Sequence, residues 1–126
     1  MTALKRVLYI EDDPDIREVA TMALELMGGF ELCVCASGSA ALAEGPAFAP
    51  DLILLDVMMP GMDGPTTLAR LRESPALAET PVVFMTAKVQ SHEVAALRAM
   101  GALDVIAKPF DLMQLASRLS GIFDAR

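Results

Sequence analysis

The chain has 126 residues, enough for one domain with a substantial core, and 54% of them are apolar against 21% charged. That balance excludes a disordered chain, and a net charge of −7 without a Lys/Arg stripe argues against a nucleic-acid surface. The longest apolar runs are broken at Glu11, Asp56 or Pro81, far short of a membrane span, and Met1 to Arg6 lacks the apolar core of a secretory leader, so the expected compartment is the cytoplasm.

In chain order, Val7-Leu8-Tyr9-Ile10 reads as a first strand that ends abruptly at Glu11-Asp12-Asp13-Pro14. Asp13 is placed to cap a helix with Pro14 in its first turn. Ile16, Val19, Ala20, Ala23 and Met27 then recur at helical spacing until Gly28-Gly29. Phe30 to Cys35 reads as a second strand. Cys33 and Cys35 are two apart and share one face of it, without a metal-type CxxC spacing, so they are expected to be buried, reduced thiols. Ser37-Gly38-Ser39 turns into a short helix, Ala40 to Glu44, closed by Gly45-Pro46. Leu52-Ile53-Leu54-Leu55-Asp56 is a continuous apolar run that arrives at one carboxylate, the pattern of a strand buried on both faces.

Beyond the Asp63-Gly64 turn, a third helix is expected over Thr66 to Glu73, with Leu68 and Leu71 facing inward. Pro81 to Met85 forms a fourth strand ending at Thr86. Ser91-His92-Glu93 opens a fourth helix that carries Val94, Ala95, Leu97 and Arg98 and stops at Gly101. Asp104 to Ala107 is a short fifth strand ending at Lys108-Pro109, a bond that a cis geometry would use to turn the ammonium inward. Asp111 caps a last helix with Leu112, Leu115, Leu119 and Ile122 on its apolar face. Five strands alternating with five helices predict an α/β fold: a doubly wound parallel sheet with right-handed crossovers. In such sheets function sits outside the carboxyl ends of the strands.

Those ends carry Glu11 and Asp12, then Asp56, Thr86 and Lys108. Taken singly, Asp56 serves equally as a turn cap, Thr86 as an ordinary strand residue and Lys108 as a solvated charge. Glu11 and Asp12 alone would simply favour a helix N-terminus. Gathered at one edge, the three carboxylates repel one another, and a hard divalent cation with oxygen ligands, Mg2+, is the cheapest neutralisation. A hydroxyl and an ammonium facing them suit a transferring phosphoryl group, whose transfer needs positioning and charge stabilisation, and a carboxylate can itself become an acyl phosphate.

An acidic pair after the first strand, Asp56-x-x-Met-Pro-Gly-Met-Asp-Gly after the third, Thr86-Ala87 after the fourth and Lys108-Pro109-Phe110 after the fifth together resemble the receiver domain of two-component response regulators, the CheY-like family. The resemblance covers the whole chain, residues 1–126, as one receiver domain. It implies a flavodoxin-like (βα)5 fold with strand order 2-1-3-4-5. It also implies Asp56 as phosphoacceptor, and Mg2+ held by Glu11, Asp12, Asp56 and the Met58 backbone carbonyl. Thr86 would switch onto the phosphoryl group and Lys108 would pair with it. Glu11 stands where the family more often has Asp, which implies contact with the metal through water. Val105 stands where Tyr or Phe often swings, which argues against an aromatic switch. Met59 and Lys88 are expected at the two positions that modulate loss of the phosphoryl group.

The sequence runs only four residues past Ile122, so a stand-alone receiver without an output domain is expected. His92 lies away from the acids, so the donor is an external histidine kinase, histidine phosphotransferase or small acyl phosphate. The resemblance implies output by protein contact through the face of the fourth helix, fifth strand and fifth helix, here around Lys88, Asp104, Val105 and Arg118, with Asp104 and Arg118 as a candidate pair. A monomer or weak homodimer fits, as does a phosphate sink or shuttle in a relay. Self-phosphorylation and self-dephosphorylation are the only catalysis expected. A Mg-dependent aspartyl-phosphate hydrolase is the reading from another class, and Met58 argues against it, because such enzymes commonly carry a second acid two residues after the nucleophile. An interaction module that is never phosphorylated is a third, at odds with the presence of all five site residues.

Overall fold

The computed structural model describes residues 3–126. Ten elements alternate along them: β1 (Arg6–Ile10), α1 (Pro14–Gly28), β2 (Glu31–Cys35), α2 (Gly38–Phe48), β3 (Leu52–Asp56), α3 (Gly64–Leu71), β4 (Val82–Thr86), α4 (Ser91–Ala99), β5 (Asp104–Ala107) and α5 (Leu112–Asp124). The strands form one parallel sheet in the order β2-β1-β3-β4-β5, as expected.

Strand side chains alternate between two cores. Val7, Tyr9, Leu52, Leu54, Val83 and Met85 meet Ala20 and Leu24 of α1 and Leu115 and Leu119 of α5. Leu8, Ile10, Ile53, Leu55, Val82 and Phe84 meet Ala41 of α2, Leu68 and Leu71 of α3 and Leu97 of α4. Because both faces are covered, β3 and β4 are buried along their whole length, which is why they read as unbroken apolar runs. No helix among the described residues is long and apolar enough to cross a membrane.

Three local expectations are corrected. The second helix does not stop at Gly45-Pro46 but runs from Gly38 to Phe48 with Pro46 inside it. Gly45 is buried there, and a Cβ on it would lie 3.0 Å from Leu8 Cδ2 and 3.3 Å from Leu77 Cδ1. Its missing side chain thus serves close packing, and the contact offsets the hydrogen bond Pro46 cannot make. The third helix begins at Gly64, two residues early, because the Asp63 carboxylate accepts the Thr66 N–H at 2.9 Å. On α1, Val19 and Met27 are 44% and 47% exposed, whereas Leu24 is fully buried. Apolar residues lie on several sides of this helix, so spacing alone did not single out the inward line of Ala20 and Leu24.

Candidate functional site

Parallel strands deliver the polar residues to one edge. Asp56 is the last residue of β3. Glu11 follows β1 directly and is fixed by its N–H, which donates to the Cys35 carbonyl at 3.0 Å. Asp13 caps α1 by accepting the N–H groups of Asp15 and Ile16 at 2.9 and 3.2 Å, which turns the chain sharply and leaves Asp12 at the rim. Lys108 follows β5, its N–H donating to the Thr86 carbonyl at 2.9 Å. The Lys108–Pro109 bond is cis.

The Lys108 ammonium donates to Glu11 Oε1 at 2.7 Å and reaches Asp56 Oδ1 at 3.1 Å. Both carboxylates are almost wholly buried and the lysine side chain is 15% exposed. Glu11, Asp12 and Asp56 each offer an oxygen such that the three lie within 4.8 Å of one another. A shallow cavity over them is lined by Asp13, Ile16, Met58 and Ala87 as well as by the acids and Lys108.

Burial, then the neighbouring Glu11, raises the Asp56 carboxyl above the usual aspartate range, while Lys108 partly restores it. Asp12 is raised likewise, by burial and then by Asp56. For Lys108, burial works to lower the ammonium's value, and its bonds to Glu11 and Asp56 outweigh that, so it stays protonated across the neutral range. One ammonium among three acids leaves the edge with excess negative charge. Oxygen-only donors this close together fit a hard divalent cation, which takes carboxylate, carbonyl and water oxygens at about 2.0–2.1 Å in the case of Mg2+.

Five of the expected residues thus come together: Glu11, Asp12, Asp56, Met58 and Lys108 all line the one cavity. Thr86 sits beside it at the end of β4, buried, its Oγ1 accepting the Lys88 N–H at 3.0 Å. That leaves its hydroxyl proton available to donate. Lys88 is exposed beyond it. Val105 is buried among the α2–α4 core residues, with no aromatic lever at its position.

Two expectations change here. Met59 is only 8% exposed and packs into the core, while Met58, 57% exposed, lines the cavity over the acids. The residue beside the site is therefore Met58 and not Met59. Asp104 pairs with Arg98 at 2.7 Å and not with Arg118, whose guanidinium donates to the Val105 carbonyl at 3.2 Å. Sequence reasoning also passed over Arg17, which donates to the carbonyls of Glu11 and Asp12 at 2.9 and 3.2 Å and so pins the acidic turn. Its place a turn into the helix after the acidic pair was the available signal. Tyr9 lies beneath the acids with its hydroxyl buried and without a hydrogen-bond partner among the described residues; burial, then the charges of Glu11 and Asp56, hold its proton well above the usual tyrosine value.

A family model described as the response regulator receiver domain matches residues 7–120. Among curated proteins, the chain is 37% identical over 116 residues to the transcriptional regulatory protein CseB of Streptomyces coelicolor, covering 92% of this chain and 48% of that protein. It is 37% identical over 118 residues to the DNA-binding response regulator MtrA of Mycolicibacterium smegmatis, covering 94% of this chain and 50% of that one. The chain spans about half the length of the curated relatives it matches. Among solved structures, it superposes on Vibrio cholerae chemotaxis protein CheY4 with a TM-score of 0.86 at 28% identity, over 95% of this chain and 99% of that one.

Proposed function

Since this chain belongs to the response regulator receiver domain family, we propose that Asp56 accepts a phosphoryl group from a histidine kinase or histidine phosphotransferase in a Mg2+-dependent reaction. The observation that carries this reading is the buried Lys108 ammonium bonded at once to Glu11 and Asp56, with Asp12 completing the cluster. Glu11, Asp12, Asp56 and the Met58 carbonyl are the groups suited to hold the ion. Bound there, Mg2+ supplies positive charge that neutralises the acids and the phosphoryl oxygens.

Asp56 acts as a carboxylate. One of its oxygens forms the new O–P bond while the N–P bond of a phosphohistidine, or the O–P bond of a small acyl phosphate, breaks and its electron pair leaves with the donor. Asp12 and Glu11 remain anionic and unmodified. Lys108 holds Asp56 in place beforehand and then offers its ammonium to the incoming phosphoryl oxygens. Thr86 donates a hydrogen bond from its hydroxyl to the same group, and this pulls on the loop through Lys88. Output runs by contact through α4, β5 and α5. With the small Val105 fixed in the core, that output does not depend on an aromatic rotation at this position.

The likeness to CheY4 over 99% of its length supports a receiver working as a single unit; in CseB and MtrA the matched region is about half of the protein. The experiment is intact-mass measurement with Mg2+ and a small acyl phosphate. One added phosphoryl group is expected, not formed when a chelator is present from the start and absent in Asp56→Asn; an unchanged gain in that variant sinks the assignment. Multiple turnover on a generic phosphate ester would favour a hydrolase instead, and none is expected.

A further inference from the structure

Away from the acidic edge, the described residues assemble a second group of metal-ligating side chains. Cys33, Cys35 and Glu44 each bring a ligand atom within 4.8 Å of the others. Cys33 and Cys35 point from the edge strand β2 toward the α2 side of the sheet, and Glu44 reaches down from α2. The Cys35 thiol is directed at Glu44 Oε2, 3.8 Å away. Cys35 is buried, Cys33 half-buried and Glu44 exposed, so an ion entering from solvent meets the carboxylate first and the sulfurs behind it.

The donor set differs in kind from the acidic edge. Two sulfurs and one oxygen select a soft or borderline cation over Mg2+. With bonds of about 2.3 Å to sulfur and about 2.0 Å to oxygen, a tetrahedral ion has S···S and S···O edges of roughly 3.8 and 3.5 Å. The observed Cys35–Glu44 separation is within a few tenths of that. On a turn, metal sites need two residues between cysteines, but on a strand one suffices, because residues i and i+2 share a face. A disulfide fits less well. Side chains two apart on a strand are held about 6.6 Å apart at Cα with near-parallel Cβ directions, whereas a disulfide needs its Cβ atoms about 3.8 Å apart.

We propose that Cys33, Cys35 and Glu44 form a binding site for a thiophilic divalent cation of the zinc class, with the fourth position left to water. Nothing in the phosphoryl-transfer reading uses these side chains. Binding forms two metal–sulfur bonds and breaks two S–H bonds, releasing two protons per ion without any redox change. Burial raises the thiols of both cysteines, that of Cys35 to about 12, so both are protonated at neutral pH and the full two-proton release is expected there.

The test titrates the intact protein with Cd2+ as a spectroscopic probe, then with Zn2+ against a chelating indicator, with Mg2+ in excess throughout. One Cd2+ should bind with thiolate-to-metal charge-transfer absorption, accompanied by release of about two protons per ion in weak buffer. Cys33→Ser should halve the absorption, and Cys33→Ser and Glu44→Gln should each weaken Zn2+ binding by about tenfold or more. Asp12→Asn should leave the charge-transfer absorption in place, since that band needs thiolate ligands. The proposal is overturned by an absence of charge-transfer absorption in the wild type, by Zn2+ affinity unchanged in Glu44→Gln, or by loss of the signal in Asp12→Asn. Glu44→Gln alters an exposed side chain, so its outcome does not hinge on refolding of the core.

Discussion

The two edges of the sheet treat charge in opposite ways. At the amino-terminal edge, the Asp51 carboxylate accepts the N–H groups of Lys5 and Arg6 at 3.1 and 2.9 Å. The Arg6 guanidinium stacks on Phe48 with its carbon 4.2 Å from the ring centre and meets Glu31 at 2.6 Å. Each of these charges is matched by a local partner. At the carboxyl-terminal edge, three acids share one ammonium, and two of the acids are almost fully buried. Matched charge holds strands in register. Unmatched buried charge weakens the fold and persists only where it serves chemistry, so the contrast separates scaffold from site within one sheet.

The sharpest way to break this contrast is Asp56→Asn. Phosphoryl loading should vanish while the metal-free protein becomes more stable. The sign follows from the raised Asp56 carboxyl. The folded chain holds that proton more tightly than the unfolded chain does. Its stabilising contribution is therefore complete below the ordinary aspartate value of about 3.9 and is lost as pH rises through the higher folded value. Urea melts in chelator from acid to neutral pH should fall more steeply with pH for the wild type than for Asp56→Asn; parallel curves would contradict the assignment. Added Mg2+ should raise the wild-type midpoint by mass action and that of the variant much less.

Next in size is Lys108→Met, which strips the ammonium bonded to both Glu11 and Asp56. Breaking a buried pair from one side costs about 3 kcal/mol, and here the loss should shrink in acid as Asp56 takes up a proton. Repeating the substitution in an Asp56→Asn background should lower its cost, because the two positions share an interaction. Equal costs in both backgrounds, by urea denaturation, would show that Lys108 does not stabilise Asp56.

Much of this contrast was legible in the sequence, for a physical reason. A strand buried on both faces must be an apolar run, and any charge beyond its end marks the exit, so Glu11, Asp12, Asp56 and Lys108 could be placed at one edge before any coordinates. What spacing could not supply was direction within irregular segments. In the turn after β3, the chain sends Met58 outward and Met59 into the core, and no fixed period governs consecutive side chains there. Asp104 chose Arg98 across the α4–β5 turn over Arg118, since Arg118 is occupied by the Val105 carbonyl. Gly45-Pro46 carried the usual signal of a helix end, and only the close approach to Leu8 shows why the helix continues. The partnership of Glu44 with Cys33 and Cys35 needs the packing of α2 on β2, which no local pattern encodes.

At the opposite edge, Asp51→Ala should cost about 1–2 kcal/mol, because the amides of Lys5 and Arg6 lose their acceptor at the start of β1. Loading of Asp56 should be unchanged, since the perturbation lies at the far end of β1 from Glu11. A loss of loading larger than the loss of stability explains would show that the two edges are coupled and that the division drawn between them is too clean.

The smallest effect expected is that of Glu31→Gln, which tests whether a short distance alone makes a strong interaction. The Arg6–Glu31 pair, at 2.6 Å, is shorter than the Lys108–Glu11 contact at 2.7 Å, yet the Glu31 side chain is 64% exposed and that of Glu11 is not exposed at all. Solvent screens the exposed pair and hydrates its partner when it is broken, so the change should stay within about 0.5 kcal/mol. Arg6 also keeps Phe48 as a partner, by a hydrogen bond to its carbonyl and by stacking on its ring. Should Glu31→Gln cost as much as Lys108→Met in the same urea melts, burial would not be what distinguishes the two edges, and the ranking of their charges would have to rest on distance instead.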